Sequence, residues 1–267
     1  KLGKRTAIVE KSRMVGGSCA RSGTVPSKTF REAVRSLTLE AVVRTMHSTG
    51  LQRVRPTMQQ LVARVQQVSE TDSATVRAMF DRNEVTVLWG MASFTDPNSL
   101  RIEAPDSTRT IQASNILIAT GSRAILPEGV RADGETIFTG DTILEMRDLP
   151  HTMTVMGAGV IGIEYASMFA AAGVQVTLVD KADRPISFID REIVDELMHQ
   201  LRAARVTLRM NEEVKSLEIV EGSPRRGALV TKSGKKIVAD AVLISAGRVG
   251  NVESLELDSI GLSADDR

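Results

Sequence analysis

The chain has 267 residues, 42% of them hydrophobic and 25% charged, which is enough apolar matter to bury a substantial core in one large or two ordinary domains. Its 34 basic and 33 acidic residues leave a formal net charge of +1, no field for gathering nucleic acid, and Arg31, Arg35, Arg44, Arg53 and Arg55 are spread through amphipathic stretches as solvated helix faces. No apolar run approaches a membrane span and the first residues lack the apolar centre of a signal peptide, so no membrane association and a cytoplasmic location are the default expectations.

In chain order, residues 5–10 read as a short buried strand ending in the acid Glu10. Only four residues precede it, too few for the strand and glycine turn that open a nucleotide-binding unit, so the chain is expected to begin inside a domain. Residues 27–48 carry Phe30, Val34, Leu37, Leu39, Val42, Val43 and Met46 at helical spacing, and a second helical pattern spans about 56–82. Residues 84–95 and 99–103 read as strands joined by an Asp96-Pro97-Asn98 turn, followed by 110–112 and the apolar run 115–121. Together these predict antiparallel additions to a wound sheet.

The stretch Gly157-Ala158-Gly159-Val160-Ile161-Gly162 follows an apolar strand pattern at 154–156, opens a helix over 161–172, and leads to a second strand, 176–180, that ends in Asp180. Such a turn presents backbone N–H groups and the positive end of a helix to a pyrophosphate, and the acid can accept from a ribose hydroxyl. Gly157 would make the tight turn, Gly159 would let phosphate approach the backbone, and Gly162 would let helix pack on strand. A glycine turn of purely structural purpose is the alternative. Further on, Gly173 is placed to end the helix and Asp190 to cap the next, which runs to about Ala204. Short strands are expected at 206–210, 214–220, 228–232 and 236–238, then an apolar strand at 241–247.

Cys19 is the single cysteine, which rules out an intrachain disulfide and a four-cysteine zinc site. His47, His151 and His199 show no metal-ligand spacing, so no metal is expected.

Several short motifs carry a family resemblance: Gly16-Gly17-Ser18-Cys19, Gly23-Thr24-Val25-Pro26-Ser27-Lys28, Ala119-Thr120-Gly121-Ser122-Arg123, residues 157–164, and Ala246-Gly247-Arg248 with Asn251. In order and spacing they resemble the FAD-dependent pyridine nucleotide-disulfide oxidoreductase family. The subfamily most similar in motif is that of the soluble pyridine nucleotide transhydrogenases. The resemblance implies an α/β fold with two Rossmann-like dinucleotide-binding domains, the NAD(P) domain inserted in the FAD domain. Residues 1–123 would form an incomplete FAD part, 124–245 the NAD(P) part, and 246–267 a truncated return to the FAD part. An upstream glycine turn, a downstream Gly-Asp segment and a C-terminal dimerisation domain belong to the pattern but not to this sequence, which is therefore expected to be a fragment of a homodimer or higher homo-oligomer.

Disulfide reductases of the family have a second cysteine five positions after the first, where Thr24 stands here, and a hydroxyl cannot take part in a sulfur–sulfur bond of about 2 Å. The implied activity is hydride transfer between NADPH and NAD through FAD, without a redox disulfide. By resemblance, Glu10 would hold the adenosine ribose of FAD, Gly16 and Gly17 would let the chain pass close to the cofactor, and Cys19 and Thr24 would lie near the flavin. Thr120, Gly121 and Gly247 complete the implied cofactor-binding set. Lys28 would pair with Glu164 at the reactive edge, an exposed helix lysine being the alternative. Around Asp180 the signals conflict: its carboxylate suits the free ribose of NAD, while Lys181 and Arg184 either attract the extra phosphate of NADP or are ordinary loop charges. Two other readings stay open, a catalytically silent nucleotide-binding fragment and a related reductase, lipoamide dehydrogenase-like or passing electrons to a quinone or metal.

Overall fold

The computed structural model describes residues 3–47 and 55–265, with backbone alone for 40–47. Of the positions singled out above, Ser48 and Arg53 lie outside the described residues, as do the side chains of Val42, Val43, Arg44, Met46 and His47. Strand β1 (Ala7–Glu10) is followed by helices α1 (Gly17–Arg21), α2 (Thr24–His47) and α3 (Met58–Arg82). Then come β2 (Thr86–Trp89), β3 (Met91–Asp96), β4 (Ser99–Ala104), β5 (Ser107–Gln112), β6 (Ser122–Ala124) and β7 (Ile137–Thr139). The order β8 (Thr152–Met156), α4 (Val160–Ala171), β9 (Gln175–Val179), α5 (Arg191–Ala203), β10 (Thr207–Arg209) follows. The last strands are β11 (Val214–Val220), β12 (Arg226–Thr231), β13 (Lys236–Ala239), β14 (Ala241–Ile244) and β15 (Arg248–Gly250).

The chain divides into two compact units, one made of Lys1–Val25, Gln67–Arg123 and Arg248–Arg267, the other of Pro26–Gln66 and Ala124–Gly247. The second unit is built on a five-stranded, all-parallel sheet in the order β10-β9-β8-β14-β7. Parallel strands are covered on both faces and so need apolar residues at successive positions, which β14 supplies with Ala241, Val242, Leu243 and Ile244, all buried. Helix α4 is apolar almost all round and buries Ile163, Tyr165, Ala166, Met168 and Phe169, the pattern of a core helix. It packs with Phe30 and Val34 of α2 and with Met58, Leu61 and Val65 of α3, which is why residues 26–66 belong to this unit. By contrast α5 is amphipathic and buries only Val194 and Leu201. The antiparallel sheet β11-β12-β13 adds a second, smaller core around Leu229 and Ile244.

The first unit holds a parallel pair, β1 with β2, an antiparallel meander β3-β4-β5, and the pair β6-β15. Phe94 and Leu100 of the meander pack with Leu255.

Three expectations are corrected. The run 84–95 is not one strand: it breaks at Gly90, where φ is 145° and a side chain would meet the Glu103 carbonyl oxygen at 2.6 Å, so β2 joins β1 in parallel and only β3 enters the antiparallel meander. Second, residues 115–121 form no ladder, and Leu117 is 89% exposed. An apolar run reads as a buried strand, but burial needs a paired neighbour, and among the described residues none pairs with it. Third, β1 is partly exposed rather than buried, for the same reason: β2 is its one partner among the described residues. Three-residue strands β6, β7 and β15 are too short to leave a periodic signal.

Candidate functional site

Strand order in the parallel sheet reverses between β8 and β14, and in open parallel sheets the crevice beyond the carboxyl ends at such a point is where ligands bind. Residues 157–159 leave β8 at this crevice and enter α4. Gly157 has φ 104°, and a side chain there would meet the Ser245 carbonyl oxygen at 2.5 Å. Gly162 is tighter still, since a Cβ would fall 1.9 Å from the Gly157 oxygen. Gly159 differs: nothing lies within 4 Å of its Cβ position and it is exposed. It is the N-cap residue of α4 and has no side chain to cap the free N–H groups of that first turn, and among the described residues no other side chain is bonded to them. Open space in front of uncapped N–H groups at the positive end of a twelve-residue helix is a cradle of the right polarity for a pyrophosphate.

Asp180, one residue past β9, accepts from the backbone N–H of Ala158 at 2.5 Å and of Ala182 at 2.8 Å. Its carboxylate is thereby fixed against the glycine turn. The following loop returns to the same place, with Ile186 N–H donating to the Ala158 carbonyl at 3.0 Å. Lys181 is exposed, and Arg184, partly buried, donates to the Ser187 carbonyl at 3.2 Å.

Within the same unit Lys28 of α2 forms an ion pair with Glu164 of α4, with the two side chains 54% and 35% exposed. A recess of about 260 Å³ surrounds the pair, lined by Ser27, Lys28, Arg31, Glu164, Ser167 and Met168. Beneath it Tyr165 is buried among Phe30 and Phe169, with ring centroids 6.5 and 6.4 Å from its own. Its hydroxyl finds no hydrogen-bond partner among the described residues. Burial, and then the charges of Glu164 and Asp141, push the phenol pKa up, so the group stays neutral.

The remaining candidates lie in the first unit, apart from Gly247, which belongs to the second. Glu10 accepts from the Ser12 N–H at 2.8 Å. Gly16 and Gly17 have φ 108° and 61°, ahead of the exposed Cys19 in the short α1, while Thr24 opens α2. Asn251 donates to the carbonyls of Thr120 at 3.1 Å and of Gly121 at 3.0 Å, which joins two of the sequence motifs. Sequence reasoning missed Ser245, whose single hydroxyl proton is shared between the Met156 and Gly157 carbonyls, each 2.9 Å from its oxygen. Its signal was a polar residue closing an otherwise apolar strand.

A glycine turn at the switch point of a doubly wound parallel sheet is the arrangement of a dinucleotide-binding α/β fold. The chain belongs to the pyridine nucleotide-disulphide oxidoreductase family, whose pattern matches residues 1–267. It is 43% identical over 270 residues to the soluble pyridine nucleotide transhydrogenase of Mycobacterium tuberculosis (strain ATCC 25177 / H37Ra), covering 100% of this chain and 57% of that protein. It is 38% identical over 268 residues to the soluble pyridine nucleotide transhydrogenase of Yersinia pestis (strain Pestoides F), with the same two coverages of 100% and 57%. The chain thus spans little more than half the length of these relatives. Among solved structures, the HOCl-induced flavoprotein disulfide reductase RclA from Escherichia coli superposes with a TM-score of 0.83 at 25% identity, over 99% of this chain and 56% of that one. LpdA from Mycobacterium tuberculosis gives 0.83 and 25% over 97% and 56%.

Proposed function

We propose that the second unit binds a nicotinamide dinucleotide at the 157–162 turn and that the protein moves hydride between NADPH and NAD with FAD as its resident cofactor. The observation that carries the nucleotide reading is the open, uncapped start of α4 at Gly159, placed where the parallel sheet reverses its order. The transhydrogenase reading draws support from the names of the relatives and from Thr24 at the place of a second cysteine.

In this reading FAD would be held by Glu10, Gly16, Gly17, Cys19, Thr24, Thr120 and Gly121 of the first unit; the left-handed Gly16-Gly17 pair and the half-exposed Glu10 carboxylate fit a backbone approach and a ribose hydroxyl. A bound flavin would supply the electron chemistry of hydride exchange between nicotinamides. Lys28 places a cation in the recess, and Glu164 fixes its position without burying it. Asp180 accepts from the NAD ribose with the lone pairs left free by Ala158 and Ala182, and repels the phosphate of NADP. Lys181, exposed on the same loop, is the counterweight that admits NADP. With Thr24 where the family's second cysteine would stand, this reading gives no part to a redox disulfide between positions 19 and 24. A homodimeric or higher assembly and a cytoplasmic location complete the proposal.

The test is an absorbance spectrum of the purified full-length protein followed by NADPH with thio-NAD as acceptor. Flavin that bleaches with NADPH and is reoxidised by thio-NAD is the expected result. Reoxidation by a quinone or disulfide in preference to thio-NAD would overturn the transhydrogenase reading. Asp180→Ala is expected to shift preference toward NADPH by at least tenfold in kcat/KM, and an unaltered ratio would remove Asp180 from coenzyme choice.

A further inference from the structure

A single peptide group joins Ser245 to Asp180. The Gly157–Ala158 bond is trans, so its C=O and N–H point in opposite directions. On one side the Ser245 hydroxyl lies 2.9 Å from the Gly157 carbonyl and shares its one proton between it and the Met156 carbonyl, also at 2.9 Å, which already accepts from the Ser245 N–H. On the other the Ala158 N–H donates to Asp180 Oδ2 at 2.5 Å. The Ser245 oxygen sits in space that two missing side chains leave open: a Cβ would approach it to 3.1 Å from Gly157 and to 2.6 Å from Gly162. Its own N–H continues the ladder to Met156 at 2.8 Å, so the hydroxyl is held by the end of β14, not by a flexible loop.

We propose that Ser245 is a positioning residue for coenzyme choice, which clamps the Gly157–Ala158 peptide and through it orients the Asp180 carboxylate toward the ribose of NAD. Donation to a peptide carbonyl polarises the whole amide and strengthens its N–H as a donor, so the two hydrogen bonds reinforce each other. Asp180 is thereby held with one oxygen against the turn, at no ordering cost when the coenzyme arrives. This inference rests on the reading of the glycine turn as a nicotinamide-dinucleotide site.

The test is a double-mutant cycle in the full-length protein, with NADH and NADPH titrated separately by calorimetry. Ser245→Ala is expected to weaken NADH binding about fivefold, the loss of one good hydrogen bond, while NADPH binding changes less than twofold and kcat at saturating NADH is kept. In an Asp180→Ala background the same substitution is expected to change NADH binding less than twofold. Equal losses for NADH and NADPH, or the same fivefold loss with and without Asp180, would mean that Ser245 only shapes the turn, and the proposal falls. A thermal midpoint for each variant separates unfolding from loss of grip. Gly159→Val keeps the two levels apart. If it abolishes NADH binding while the cycle is additive, only the role of Ser245 is overturned; if NADH binding survives it, the site itself lies elsewhere and both fall.

Discussion

Three glycines of one turn meet different surroundings, and substitutions should sort them. Gly162→Ala would force a methyl group to 1.9 Å from a backbone carbonyl that no rotamer change can move, so it is expected to cost about 1–3 kcal/mol, read from the urea midpoint at constant slope. Gly159→Ala meets open space at φ −74°, which any residue adopts, and is expected to leave stability within about 0.5 kcal/mol while weakening NADH binding at least threefold. A stability loss at Gly159 equal to that at Gly162 would contradict the distinction. Tyr165→Phe makes the opposite point about polar atoms. Its hydroxyl is buried and unpartnered, so deleting it is expected to leave stability unchanged or raise it by up to about 1 kcal/mol in thermal melts. A clear loss would mean that the hydroxyl is satisfied in solution. At this scale the sequence was legible wherever a residue type has one physical use: Gly157, Gly162 and Asp180 were all marked by spacing. Ser245 was not, because its partners are carbonyls of a segment 88 positions away in sequence, and no spacing rule reaches that far.

Elements differ in how their ends are satisfied, and this separates structure from function. Helix α5 begins at Asp190, whose carboxylate accepts from the Glu192 N–H at 3.0 Å. Asp190→Ala is expected to cost about 1 kcal/mol, measured as a shift in the urea midpoint, and a loss below a few tenths would show that the cap contributes little in this context. Helix α4 starts at Gly159, which has no side chain to cap it, and this contrast within one unit supports the proposed dinucleotide site at its N-terminus. Helices and the long apolar strands were legible from periodicity and from their punctuation, with Gly173 closing α4 at φ 89° as expected. The run 115–121 was not, since its composition states that it is apolar but cannot state whether a partner strand lies beside it. Gly90 was equally silent: only the proximity of the Glu103 carbonyl makes it a break between two sheets.

On the scale of the whole molecule, several carboxylates of the second unit tie distant segments together, and stability should follow their charge. Asp240 is partly buried, which works against its charge, but the N–H and hydroxyl of Thr152, the Arg226 guanidinium and the His151 N–H together hold its pKa below the usual value. Lys235, then Ser233, do the same for Glu212. A depressed folded-state pKa contributes stability above the unfolded carboxylate value of about 4 and loses it as pH falls through the folded values. The urea midpoint is therefore expected to hold from pH 7 to 5 and to drop below about pH 4, and Asp240→Asn should lower the midpoint at pH 7 while flattening that drop. A midpoint that rises on acidification would reverse the sign assigned to these groups. By itself the sequence determined the α/β class, the glycine turn, the acid that follows β9, and the family, because local periodicity, backbone freedom and short spacings are properties of neighbouring residues. The family resemblance anticipated the meeting of Lys28 with Glu164, which form an ion pair, whereas tertiary structure alone decided the strand order with its reversal between β8 and β14 and the clamp from Ser245 to Asp180. Each of these depends on which segments become neighbours when apolar faces are buried, a choice made by the packing of the entire unit and written in no single stretch of it.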